Sequence, residues 1–294
     1  MCLAVPHRRG WRLAAPQPVG VPETLITRLR AAADGAPVAF GIDCPLGLPR
    51  AYVAAHVADA NFPAFLRGLA GRPDFFRVAD TLAEVGAQRP FYPARGVAGM
   101  TRLAHAAALG LEAAAGLSRA CDRATAERPA GAPMFWTLGA NQSGKAAIAA
   151  WRDLLVPALH AADTPLLWPF EGPFLGLLRD GGVAVAETYP AEAMRHLGLR
   201  IVGSKRRRAD RAAYAEGILG AMAGLRGEAS PGLRAELKDG FGDDAAGEDR
   251  FDSVLGVLCV LGVLAGARPD TAPDDDWVLR FEGWVLGQTS LPVG

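Results

Sequence analysis

Apolar residues along this chain fall into short unbroken runs and into helical stripes, and two of the runs end alike. Val38-Ala39-Phe40-Gly41-Ile42 leads into Asp43, then Pro45 and Pro49. Val183-Ala184-Val185-Ala186 leads into Glu187, then Pro190. Runs of this length bounded by Gly and Pro predict strands covered on both faces of a sheet. Residues 24–33 carry Leu25, Ile26, Leu29 and Ala32 on one helical face. Residues 1–20 offer two short apolar pieces around a basic turn, which predicts a hairpin.

From residue 50 to residue 165 the pattern becomes Ala-rich and helical, broken by Pro and Gly, with at most a short strand at 134–138. That length exceeds a simple crossover, so the expectation is a single α/β domain over residues 1–294 carrying a helical insertion at 50–165. Further helices are predicted at 174–179, 191–197 and 208–225. Residues 226–250, rich in Gly and acids, predict a mobile loop. A final apolar helix contains Phe251-Asp252-Ser253-Val254-Leu255 and ends at Gly266.

Composition narrows the classes. Lysines plus arginines number 31 and so do the acids, so no net charge drives the chain toward nucleic acid or membrane. The basic residues are almost all arginine, which makes any one arginine cluster less informative. The four cysteines form no CxxC pair and the five histidines no metal-ligand spacing, which argues against structural zinc. Residues 254–267 are too few to span a bilayer, which takes about 20. The expectation is a soluble, reduced, cytoplasmic protein with no membrane partner.

Three acids are the candidate chemistry. Asp43 and Glu187 stand at strand exits, where open α/β sheets place ligands, and Asp252 opens a helix. Each has a structural alternative: a turn acceptor for Asp43, an arginine partner for Glu187, a helix cap for Asp252. Together they predict a site for Mg²⁺ or Mn²⁺ in which carboxylates converge at one end of the sheet and support phosphodiester hydrolysis. Glu171 and Asp249 are candidate auxiliary acids, with a local structural or surface role as the alternative for each. Lys205 and Arg206, in the densest basic run, are candidate contacts to a nucleic acid or nucleotide substrate. Gly139-Ala140-Asn141-Gln142-Ser143-Gly144-Lys145-Ala146 nearly matches a phosphate-binding loop, with Ala146 where a hydroxyl is required. Lys145 is therefore a further candidate phosphate contact.

Ile42-Asp43-Cys44-Pro45-Leu46-Gly47-Leu48-Pro49, Glu187-Thr188-Tyr189-Pro190, Ser204-Lys205, Phe251-Asp252-Ser253 and Glu282-Gly283-Trp284 occur in that order. This series resembles the predicted nucleases of ribonuclease H-like fold, the domain of unknown function 429. Trp168-Pro169-Phe170-Glu171 and Phe135-Trp136-Thr137-Leu138-Gly139 resemble stretches of one branch of that family. The resemblance implies a ribonuclease H-like mixed sheet flanked by helices, and a divalent-metal nuclease using Asp43, Glu187 and Asp252. It also implies an acid in the first strand, upstream of the Gly10-Trp11 pair, and residues 1–9 contain none. Either the chain begins downstream of its natural first strand, or one metal ligand is lost and metal binding is impaired. The alternatives are a non-catalytic nucleic-acid or protein binding module on the same fold and a nucleotide-binding ATPase acting through residues 139–146.

Overall fold

Six strands form two separate three-stranded sheets in the computed structural model, which describes residues 1–96, 99–139, 142–199 and 203–293. In chain order they are β1 (Ala4–His7), β2 (Gly10–Leu13), β3 (Val38–Ile42), β4 (Leu166–Leu167), β5 (Val183–Glu187) and β6 (Gly227–Ala229). The hairpin β1–β2 forms as expected, and β6 joins it parallel to β2, pairing Trp11 with Gly227. The second sheet has the order β3-β5-β4 and is parallel throughout. The structure is mixed α/β, but one mixed sheet uniting the hairpin with the acid-bearing strands is not what forms.

β5 is the central strand, and all five of its residues are buried. Side chains alternate across a strand, and the packing follows. Val183 and Val185 join the core shared with Leu48, Leu154 and Leu155, whereas Ala184 and Ala186 join the one containing Val260, Val263 and Trp284. Both faces are thus covered, which is why an unbroken apolar run marks this strand.

The helices number α1 (Leu25–Ala33), α2 (Arg50–His56), α3 (Phe62–Gly68), α4 (Arg102–Ala108), α5 (Ser143–Ala150), α6 (Val156–His160), α7 (Phe174–Leu177), α8 (Pro190–His196), α9 (Arg208–Ala212), α10 (Ala215–Gly224), α11 (Pro231–Asp239) and α12 (Gly247–Leu264). A π-helical turn, Trp151–Leu155, links α5 to α6. Between residues 50 and 165 the described residues contain short helices, 3₁₀ turns and irregular chain, with no strand. At 134–138 an isolated bridge from Trp136 to Tyr92 stands in place of the expected strand. Edge-to-face rings run through this region: Phe65 to Phe75 at 5.5 Å, Phe75 to Phe91 at 5.7 Å, Phe91 to Phe135 at 5.3 Å. They belong to the same apolar cluster as Leu46, Val183 and Val185.

Two expectations are corrected. Residues 226–250 are not a loop. Ser230 caps α11 through the Leu233 amide, Pro231 starts it, Leu233 and Leu237 are buried, and Gly240 ends it in the left-handed region. Residues 208–225 are two helices, α9 and α10, and the buried Arg211 guanidinium anchors α9 to the Lys205, Gly240 and Gly242 carbonyls. From Val254 onward α12 is apolar on nearly all sides, as a buried helical segment must be, whereas its first two turns carry Glu248, Asp249, Arg250 and Asp252. Its Val254, Leu255 and Leu258 pack with Leu13 and Ala229 of the first sheet, and its Val260 and Val263 pack with β5 of the second. Gly41 of β3 permits that approach, since a Cβ there would lie 2.8 Å from both Val260 and Thr188.

Candidate active site

Ile42 pairs with Glu187 in the parallel register of β3 and β5, so Asp43 and Glu187 leave the sheet side by side at its carboxyl end. The Thr188 amide donates to the Ile42 carbonyl at 2.8 Å, closing the pairing. The loop after Asp43 is then held at each step. The Leu46 amide donates to Glu187 Oε2 at 2.7 Å, the Leu48 amide to the Phe281 carbonyl at 2.7 Å, and Trp151 Nε1 to the Pro45 carbonyl at 2.8 Å. Here two stretches of backbone cross in contact. Gly47 (φ 142°) and Gly283 (φ 68°) sit at the crossing, and a Cβ on Gly47 would lie 2.0 Å from the Glu282 carbonyl oxygen. A Cβ on Gly283 would lie 2.0 Å from the Leu46 carbonyl oxygen. Only glycine fits either position.

Glu187 is buried against an arginine that sequence reasoning missed. Arg119, wholly buried, donates from Nη1 to Glu187 Oε2 at 2.6 Å and from Nη2 to Glu187 Oε1 at 2.8 Å. Its Nε and Nη2 reach Asp122 at 2.9 and 2.8 Å. Burial alone would lower Arg119, but Asp122 and Glu187 raise it well above its ordinary value and keep it charged. Burial pushes Glu187 up, against the pull of Arg119. Cys121, Asp122 and Glu187 bring donor atoms within 4.8 Å of one another, and the Arg119 guanidinium bonds two of the three. The cation among these donors is an arginine.

Asp43 and Asp252 form the open part of the site. Asp252 lies in the second turn of α12, past any capping position, and both its oxygens accept from Lys205 Nζ at 2.7 Å. Asp43 is exposed on its solvent side and walled by protein on the others. Desolvation by those walls, and then the Asp252 carboxylate, push it up to about 7 despite Lys205. Desolvation likewise raises Asp252 to about 6, with Lys205 pulling down and Glu248 and Asp249 adding to the rise. Tyr189 is raised by burial, lies within the fields of Asp43 and Lys205, and carries the Arg128 guanidinium 5.9 Å above its ring.

Asp43, Asp252 and Lys205 thus act on one another electrostatically, the Asp249 carboxylate adds to the rise of both acids, and Glu187 stands beside Asp43 in the strand register with its carboxylate on Arg119. Arg206 is mostly exposed and reaches Glu248 at 3.9 Å. Glu171 serves local structure, accepting from the Leu167 amide at 2.6 Å. Lys145 is exposed on α5 and makes no hydrogen bond or ion pair among the described residues. Of the 139–146 motif, Ala140 and Asn141 lie outside the described residues. The Gly144 amide donates to the Trp136 carbonyl at 3.0 Å, and a Cβ on Gly144 would lie 2.8 Å from that oxygen. The start of α5 is thus packed down on the preceding backbone.

No helix among the described residues is long and apolar enough to cross a membrane. Comparison with curated proteins and with solved structures returns no match. The strand-exit motif, the Glu187 turn, Lys205 and Asp252 all lie within the stretch 3–276 that one family model does match, and the chain belongs to that family, described as protein of unknown function (DUF429).

Proposed function

We propose that this protein is a divalent-metal-dependent phosphodiesterase acting on nucleic acid or nucleotide, with Asp43 and Asp252 as the residues that hold the metal. The observation that carries the reading is that Asp43, at the exit of β3, lies within the electrostatic reach of Asp252 and Asp249, with Lys205 bonded to Asp252. The donor set fits the group: hard carboxylate oxygens in mutual repulsion suit Mg²⁺ or Mn²⁺. Such an ion, when bound, makes a water nucleophilic at neutral pH and stabilises charge on a phosphoryl oxygen.

The chain's own residues divide the remaining work. Lys205 supplies a positive charge to a phosphate oxygen once Asp252 turns to the metal. Glu187 has both oxygens engaged, so in this reading it positions the Asp43 loop through the Leu46 amide. Arg119 anchors Glu187 in turn. A ribonuclease H-like origin of the core is part of the proposal. It is supported by the order of the motifs and by acids at the ends of adjacent parallel strands; the separate β1–β2–β6 sheet departs from it.

A second reading has its own support. Asp252 is neutralised by Lys205 and Glu187 by Arg119, which is how a non-catalytic binding module on this fold would rest. Manganese-dependent hydrolysis of bis(p-nitrophenyl) phosphate separates the two. The phosphodiesterase reading expects turnover that Asp43→Asn abolishes. No turnover, with no Mn²⁺ bound in calorimetry, would leave the binding module standing.

A further inference from the structure

The β1–β2–β6 sheet contributes none of these carboxylates, and it gathers charge of the opposite sign. His7, Arg8, Arg9, Trp11, Arg226 and Glu228 line an open recess of about 320 Å³. Some arginines elsewhere hold partners: Arg208 holds Asp239 and Asp243, and Arg280 holds Asp276. The side chains of Arg8, Arg9 and Arg226 make no hydrogen bond or ion pair among the described residues. The one acid of the recess, Glu228, stands 4.0 Å from His7 Nε2.

The backbone beneath these arginines is built to hold them together. Arg8 (φ 53°) and Arg226 (φ 58°) both occupy the left-handed region, which costs a non-glycine residue about 1 kcal/mol or more. The two turns are locked to each other. The Trp11 amide donates to the Arg226 carbonyl at 2.9 Å, and Gly10 lies so close that a Cβ there would come within 2.0 Å of the same oxygen. Two strained turns thus present unpaired guanidinium groups on one rim, next to the half-buried indole of Trp11.

We propose that this recess docks the backbone of a single-stranded nucleic acid, with Arg8, Arg9 and Arg226 on phosphates and Trp11 as a stacking surface for a base. A recess open to solvent and rimmed by arginines from two separate turns suits a chain passing through. The part of the Trp11 indole that lines the recess offers a stacking surface, which suits bases that are free of a duplex. Naming the polyanion as nucleic acid rests on the phosphodiesterase reading; the charge arrangement does not.

The test is fluorescence anisotropy of a labelled single-stranded oligonucleotide of about 12 nucleotides with the full chain, in EDTA so that nothing is cleaved. Three neutralised phosphates contribute about −2 to the slope of log K against log salt, at about 0.7 per phosphate. The double variant Arg9→Gln/Arg226→Asn removes two of them and keeps a residue that tolerates the left-handed turn. Its slope becomes shallower by about 1.4, with an unchanged thermal midpoint. A wild-type slope in the variant overturns the proposal. So does absence of oligonucleotide binding by the folded wild-type chain, or displacement of the oligonucleotide by inorganic phosphate at equal phosphate concentration. Arginine-dependent binding without any Mn²⁺-dependent cleavage upholds the recess and sinks the phosphodiesterase reading alone.

Discussion

Replacing Asp43 by Asn removes a carboxyl that the fold holds at about 7 instead of 3.8. About three units at about 1.36 kcal/mol each would be about 4 kcal/mol for a fully buried group. Asp43 keeps a solvent-exposed side, so screening reduces this to about 1–2 kcal/mol. The sign follows from which state holds the proton. Below about pH 4 both states are protonated and the group has no effect. Between about pH 4 and pH 7 the native state keeps a proton that the unfolded chain has released, so stability falls as pH rises. Above pH 7 the cost is constant. Asp43→Asn therefore gains about 1–2 kcal/mol at pH 8 and nothing at pH 3.5, read by urea denaturation in EDTA. Adding Mn²⁺ at pH 8 should raise the wild-type midpoint by mass action and leave the variant's unmoved. A variant no more stable than wild type at pH 8 would falsify the crowded-carboxylate description.

Arg119→Met leaves Glu187 and Asp122 without their shared cation and should cost about 3–5 kcal/mol; pairing it with Glu187→Gln should recover part, and no recovery in denaturant melts would mean the two are uncoupled. Gly47→Ala combines φ 142° with a backbone clash and should cost on the order of 3 kcal/mol, seen as a large drop in thermal midpoint. Lys205→Met removes the cation that pulls Asp252 down, so carboxyl ¹³C NMR should place Asp252 above about 6; an unchanged titration would contradict the 2.7 Å pair. Glu192 is held at about 2. Burial opposes this, but its hydrogen bonds to His196 and Arg195 pull it down, so the stability it adds above about pH 4.5 is lost as pH falls toward 2. Glu192→Gln should flatten that part of the acid-unfolding curve.

β5 was legible because a strand buried on both faces needs no polar alternation; β3 carries the same apolar run although its five residues are only half-buried, and the terminal acids of both stand out against such runs. The hairpin was readable too. Its partner β6 was not: Gly227-Glu228-Ala229 is three residues with no β-branched side chain, and it is a strand because Trp11 and Leu13 need a neighbour on that edge. The same shortage of local signal hid α11, whose Gly and acidic neighbours read as loop until Leu233 and Leu237 had a core to enter. Arg119 was invisible for another reason. In an arginine-rich chain nothing local distinguishes a buried guanidinium from a solvated one, and its partner Glu187 lies 68 residues away. The position of Asp43 and Glu187 at adjacent strand ends was legible in the apolar runs that precede them. The diversion of Glu187 to Arg119 required coordinates.

The crossing of Gly47 over Gly283 has a consequence for when the centre exists. The loop that carries Asp43 is fastened to residues far along the chain: the Arg50 amide bonds Glu282 across 232 residues, and the Leu46 amide bonds Glu187 across 141. Contacts of such separation carry a large loop-closure cost and form late in folding. A nascent chain emerging from the ribosome can build α1, β3 and the ring-packed region around Phe75 while the Pro45–Leu48 turn still lacks its Phe281 acceptor. A chain interrupted before residues 281–284 thus carries Asp43, Glu187, Lys205 and Asp252 but lacks the Phe281 carbonyl and the Glu282 carboxylate, two of the acceptors that fasten the loop after Asp43.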